Sequence, residues 1–169
     1  MERNNLWAPW RMKYIKQLPK GEGCFLCEYF GSPEKDAENY VLWRTDKSLV
    51  TFNKYPYNNG HLLISPGRHI ADLTEASDDE LFEVMKLVAA CQKALKAAIN
   101  PEGFNVGINI GRCAGAGLPG HVHVHVVPRW NGDTNYMHVC GDTDVISQSM
   151  DELYKILTRV SDEMGLPEL

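Results

Sequence analysis

The chain has no apolar run long enough to cross a bilayer. Its longest helix-like apolar stretch is interrupted by Lys86, Gln92, Lys93 and Lys96, which excludes a membrane span there. No apolar segment follows the charged start Met1-Glu2-Arg3-Asn4-Asn5, so no secretory signal is read. Positive charge is not in surplus. Seventeen basic residues face 22 acidic ones, a net charge of −5. That argues against a protein that grips long nucleic acid by charge, yet leaves a small nucleotide open as a partner. Cysteine is sparse and odd in number, at five, so a disulfide framework is not expected and the reading is a reducing, cytoplasmic compartment. No internal repeat, low-complexity tract or linker is found. What is present is an ordinary globular mixture, 44% apolar and 23% charged over 169 residues. A chain of that length buries about two-thirds of its unfolded surface around one core. One domain, 1–169, is expected.

The pattern along the chain alternates strands and helices. Residues 31–39 read as an exposed loop. Strands are predicted over Tyr40–Arg44, Ser48–Asn53 and His61–Ser65, the last two joined by the turn residues Tyr55-Pro56-Tyr57-Asn58-Asn59-Gly60. Ser77 and Glu80 form a capping-box signature, and Leu81, Met85, Val88, Cys91 and Leu95 follow with helical spacing until Asn100-Pro101. Phe104–Ile110 and His121–Val127 read as two further strands around a loop holding Gly115, Gly117 and Gly120. A second helix is expected over Ser149–Met164, capped by Ser149 with Glu152 and closed by Gly165. The whole is an α+β pattern, an antiparallel sheet of about five strands with two main helices.

His121-Val122-His123-Val124-His125-Val126-Val127 carries the most information. Strict alternation puts three imidazoles on one face of a strand and the valines in the core, with neighbouring imidazoles roughly 7 Å apart. Imidazoles crowd and can charge near neutral pH, so a purely structural strand is a poor account of them. A three-histidine metal site is also a poor account. Three histidines on one strand span about 13 Å, too far for one ion without bending the strand. Catalysis is the favoured reading. Cys24-Phe25-Leu26-Cys27 is a second constellation, either a redox dithiol or half of a four-ligand metal site. The first wants a βαβ context that this chain lacks, and plain burial of two apolar thiols is the bland alternative.

The pattern His-φ-His-φ-His-φ-φ, with φ apolar, closely resembles the signature of the histidine triad superfamily of nucleotide hydrolases and transferases. It sits after the glycine loop and before Pro128-Arg129, and Asn53 precedes Gly60-His61 as in that family. Leu6-Trp7-Ala8-Pro9-Trp10-Arg11 and Pro128-Arg129-Trp130-Asn131-Gly132-Asp133-Thr134-Asn135 look like the branch of diadenosine tetraphosphate phosphorylases. The resemblance implies a single histidine triad domain with an aromatic extension over 1–20. It implies nucleophilic attack by His123 on the α-phosphorus of a nucleoside polyphosphate, with His125 and the loop amides near Gly115, Gly117 and Gly120 serving the phosphate oxygens. The nucleotidyl-histidine intermediate would pass to phosphate or water. It further implies nucleotide contacts at Asn53, His61, Asn109 and Trp130, although Asn53 could also cap a turn, the less favoured reading, and Asn109 could face solvent at a strand end. A structural zinc held by Cys24, Cys27, His69 and His121 follows from the same resemblance, with no organic cofactor. Trp7, Trp10 and Tyr14 suit a homodimer seam or their own domain. The adenine preference comes from the resemblance. The stretch Ala114–Gly120 departs from the family, because it offers no hydroxyl or amide side chain before the triad. A nucleoside phosphoramidase, a general nucleotide hydrolase and a nucleotide-binding interaction module stand as alternatives.

Overall fold

A computed structural model describes residues 23–134, 140 and 145–168. The aromatic extension with Trp7, Trp10 and Tyr14 lies outside these residues. Helix α1 covers Phe25–Gly31, followed by β1 (Val41–Arg44), β2 (Ser48–Phe52), β3 (Leu62–Pro66), α2 (Asp78–Ile99), β4 (Gly103–Ile108), β5 (Val124–Arg129) and α3 (Met150–Met164). The strands form one sheet in the order β1-β2-β3-β5-β4, with every neighbouring pair antiparallel. The fold is therefore the α+β class expected, with five strands and three helices among the described residues. No helix among them is long and apolar enough to cross a membrane.

Strand alternation sorts the side chains. Val50, Phe52, Leu62, Ile64, Val124 and Val126 face α2 and α3 and build the main core. Leu49, Leu63, Ser65, His125 and Val127 take the opposite face by the same period of two. Helix α1 covers part of that second face, packing Leu26 and Tyr29 on Val41 and Leu49. A bulge between Val41 and Trp43 lets two residues of one strand serve opposite faces.

Several expected boundaries move. Strand β1 starts at Val41 because Tyr40 sits at φ 54 and closes a turn. Helix α2 keeps its predicted limits, with the Ser77–Glu80 capping box formed and Asn100 left-handed at its end. Its buried stripe, however, runs through Glu80, Val84, Leu87, Val88, Cys91 and Leu95, and Met85 is exposed. The phase near the N-terminus is thus off by one residue, about 100° of rotation. Glu80 turns inward because it holds Arg68 with both carboxylate oxygens, each at 2.8 Å. Ser149 caps α3 through Glu152 N–H as expected.

Two corrections bear on the site. Helix α1, with Cys24 as its N-cap, is absent from the sequence reading. The last strand begins at Val124, not His121. His121 leaves the sheet line because its ring is held by other segments, and its carbonyl receives a side-chain hydrogen bond instead of a ladder bond.

Candidate functional site

The two thiols and two imidazoles converge from three parts of the chain. Cys24 and Cys27 lie three apart on the first turn of α1, a spacing that puts side chains on one helical face. His69 follows β3 and His121 precedes β5. Cys24 Sγ lies 3.1 Å and Cys27 Sγ 3.4 Å from His121 Nδ1, and Cys27 Sγ lies 3.2 Å from His69 Nδ1. All four donor atoms lie within 4.8 Å of one another. Metal–sulfur bonds of about 2.3 Å and metal–nitrogen bonds of about 2.0 Å put tetrahedral ligands roughly 3.3–3.8 Å apart, so the set fits one ion. The orientation of His121 agrees. Its Nε2–H donates to the Pro66 carbonyl at 2.8 Å, which leaves the Nδ1 lone pair facing the thiols. The four residues can hold a metal ion. Burial and the neighbouring Cys24 push the Cys27 thiol up to about 11, so binding must displace a proton.

His123 and His125 lie one strand step beyond, with ring centroids 4.9 Å apart. Their hydrogen bonds assign opposite tautomers. His123 Nδ1–H donates to the His121 carbonyl at 2.8 Å, so Nε2 carries the lone pair, with no partner among the described residues. His125 is set through His61. The Tyr57 amide (3.1 Å) and the Asn53 side-chain amide (3.2 Å) both donate to His61 Nδ1, which forces the His61 proton onto Nε2. That Nε2–H donates to His125 Nδ1 at 3.0 Å, so His125 carries its own proton on Nε2. Burial, then the other histidines, lowers His61 to about 3 and His125 to about 4. Burial also lowers His123. All three rings are neutral at pH 7. The pair therefore joins a neutral nitrogen nucleophile to a neutral N–H donor.

The other expected residues are placed unequally around this pair. Asn53 accepts the Tyr55 amide at 2.9 Å and donates to His61, so it caps the turn and keeps one N–H in reserve. Asn109 is one residue past Ile108, whose partner Val124 directly follows His123. The amides of Ala114, Gly115 and Ala116 bond back onto Gly111 and Arg112. Those of Gly117, Leu118 and Gly120 have no partner among the described residues. Gly120 lies against His69, where a Cβ would come 3.4 Å from Nε2. Trp130 is not brought to the histidines by its own strand. It lies seven residues past His123, about 23 Å along a strand, and donates from Nε1 to the Asn100 carbonyl at the end of α2. Tyr57 was not singled out in the sequence. Its ring stacks on His125 at 5.7 Å and 24°, and its amide holds His61. The turn chemistry before His61 was the available signal.

An open antiparallel sheet that carries two imidazoles of opposite tautomer, His123 buried and His125 half-buried, beside a two-thiol, two-imidazole set is a candidate site for chemistry at a histidine nitrogen. Known proteins agree with that geometry. A family model described as HIT domain matches residues 34–132, more than half of the chain. The AP-4-A phosphorylase of Mycobacterium tuberculosis (strain CDC 1551 / Oshkosh) is 36% identical over 158 residues, covering 90% of this chain and 81% of that protein. The asymmetrical bis(5'-nucleosyl)-tetraphosphatase of Schizosaccharomyces pombe is 33% identical over 93 residues, covering 55% of this chain and 50% of that one. A solved Zn-bound histidine triad family protein from Mycobacterium smegmatis shares the fold, with a TM-score of 0.70 at 23% identity over 86% of this chain and 98% of the other. The chain belongs to the HIT domain family.

Proposed function

We propose that the protein transfers a nucleotidyl group from a dinucleoside polyphosphate, with diadenosine tetraphosphate as the substrate to try first. The observation that carries this reading is the tautomer pair, a lone pair on His123 Nε2 beside an Nε2–H on His125. His123 Nε2 attacks the α-phosphorus, a P–N bond forms, and the P–O bond to the nucleoside polyphosphate breaks, leaving its electron pair on the departing oxygen. His125 Nε2–H stabilises the charge that develops on the phosphoryl oxygens, as do the amides of Gly117 and Gly120, which have no partner among the described residues. Asn53 reaches the ribose with its remaining N–H, and Asn109, one residue past β4, serves the phosphate. Phosphate or water then takes the nucleotidyl group from His123. The printed activities of the mycobacterial and fission-yeast relatives, a phosphorylase and a tetraphosphatase, lie in the same substrate class.

Two thiolates and two imidazoles at these distances suit zinc, held by Cys24, Cys27, His69 and His121. A closed four-ligand site supplies rigidity and no activated water, and it would hold His121 and with it the carbonyl that fixes the His123 proton. Reduced thiols at this site suit a cytoplasmic setting. We further infer a homodimer. Strand β4 is an outer strand of the sheet, and Val106 on it is 43% exposed. Sedimentation at micromolar concentration gives twice the monomer mass if this holds and the monomer mass if it does not.

Product identification tests the activity. Incubated with diadenosine tetraphosphate and inorganic phosphate, the protein yields ADP with ATP if phosphate is the acceptor. It yields AMP with ATP if water is. No turnover of this substrate overturns the reading and directs the test to adenosine phosphoramidates.

A further inference from the structure

We infer that Asn58 and Asp133 are positioning residues for the histidine pair, bracing the 55–60 turn so that the Tyr57 N–H stays aimed at His61 Nδ1. The inference rests on the tautomer-pair mechanism above and gives a role to the 128–133 stretch, which that mechanism leaves unused.

Within the site the turn is held by Asn53, whose Oδ1 accepts the Tyr55 amide, and by the Tyr57 ring stacked on His125. Tyr55 and Tyr57 are 74% and 52% exposed, so neither aromatic anchors it in a core. Asn58 ties it to β5 and the residues that follow. Its Nδ2 donates to Asp133 Oδ2 at 2.8 Å and to the Pro128 carbonyl at 3.2 Å. Its Oδ1 accepts the Asn59 amide at 2.9 Å, and its carbonyl accepts the His61 amide at 3.3 Å. Asp133 is built as a hub. Its side chain is 9% exposed. Besides Asn58 it accepts Arg129 Nε at 2.6 Å, Arg129 Nη2 at 2.9 Å, the Trp130 amide at 3.1 Å and Thr134 Oγ1 at 3.3 Å. A carboxylate sheltered this far from water is tolerated because it is paired and fully hydrogen-bonded. Arg129 in turn reaches Asn105 Oδ1 on β4 at 2.7 Å. The turn that addresses His61 is thereby fastened to the far ends of β4 and β5.

The consequence is chemical. With the Tyr57 and Asn53 donors both on His61 Nδ1, the His61 proton must sit on Nε2, and His125 must present Nε2–H. If the turn slackens, the Tyr57 donor is lost and Asn53 alone opposes a proton on His61 Nδ1. In that second form His61 Nε2 becomes an acceptor, His125 donates from Nδ1, and a lone pair on His125 Nε2 faces the phosphoryl oxygens. Attraction at the developing charge becomes repulsion. Binding can survive this while the chemical step does not.

The test compares the wild type with Asn58→Ala and Asp133→Asn, each loaded with zinc, by nitrogen-15 NMR of the histidine rings and by steady-state kinetics on diadenosine tetraphosphate. Both variants are expected to show His125 as a mixture of tautomers, with kcat reduced about tenfold or more and KM changed far less. A single Nε2–H tautomer in both Asn58→Ala and Asp133→Asn overturns the proposal, whatever happens to the rate. If Asn58→Ala does not fold, Asp133→Asn, which keeps the side-chain shape, decides the matter. Absence of turnover in the wild type counts against the proposed function alone, because the tautomer comparison needs no substrate.

Discussion

A neutral imidazole has two nitrogens and one proton, so chemistry at each histidine depends on which nitrogen keeps it. Here the His121 carbonyl places the His123 proton, and the Tyr57–His61 relay places that of His125. His123→Ala is expected to lower turnover of diadenosine tetraphosphate at least about a thousandfold, as loss of a covalent nucleophile does. Nucleotide binding, measured by calorimetry on the same variant, should persist. Retained turnover sinks the covalent step. The rate should also be level from about pH 7 to 8, because all three rings are already neutral there. It should fall as the pH drops toward 4, where His125 takes a proton and stops accepting from His61. A pH–rate profile with its acid limb centred above the ordinary imidazole value of about 6.5 contradicts the lowering. The histidines themselves were legible as a period-two pattern. Their tautomers were not, because His123 bonds the His121 carbonyl only where the chain leaves the strand, and His125 is set by His61 from another strand.

Elements with a strong local pattern were readable. The Ser77–Glu80 box and the left-handed Asn100 bound α2 as the sequence suggests, and Ser77→Ala should cost about 1 kcal/mol in a denaturant titration. An unchanged midpoint would mean the cap contributes nothing. Helix α1 was not readable. It has seven residues, too few to signal by periodicity, and is held by packing Leu26 and Tyr29 on the sheet. The start of β5 was misread for the opposite reason, since the alternation runs on through His121 although the sheet does not. Gly67, beside the metal set, shows how tightly these elements meet. A Cβ there would collide with the Phe30 ring, so Gly67→Ala should destabilise by about 1–3 kcal/mol.

At the scale of the molecule, one ion would tie α1, the segment after β3 and the segment before β5 into a single unit. Chelation at neutral pH should lower the melting temperature measured by calorimetry, and Cys24→Ser should melt low with no further response to chelator. A wild type that melts identically with and without chelator removes the metal from the fold. Acid should act in the same direction. His61 and His125 titrate at about 3 and about 4 when folded, below the ordinary 6.5, so the unfolded chain binds more protons between those values. Their contribution is complete above about 6.5 and is lost as pH falls toward the folded values. Glu80, held down to about 2 by Arg68, adds a second loss below its ordinary 4.5. Sequence by itself determined the fold class, the caps of α2 and α3, and the residues able to do chemistry, because periodicity, capping and side-chain type are local properties. Only the tertiary structure decided that His121 leaves the strand for the thiols, that Trp130 bonds the Asn100 carbonyl, and that His61 sets His125. Each of those depends on which distant group arrives within hydrogen-bond distance, and no local pattern encodes that arrival.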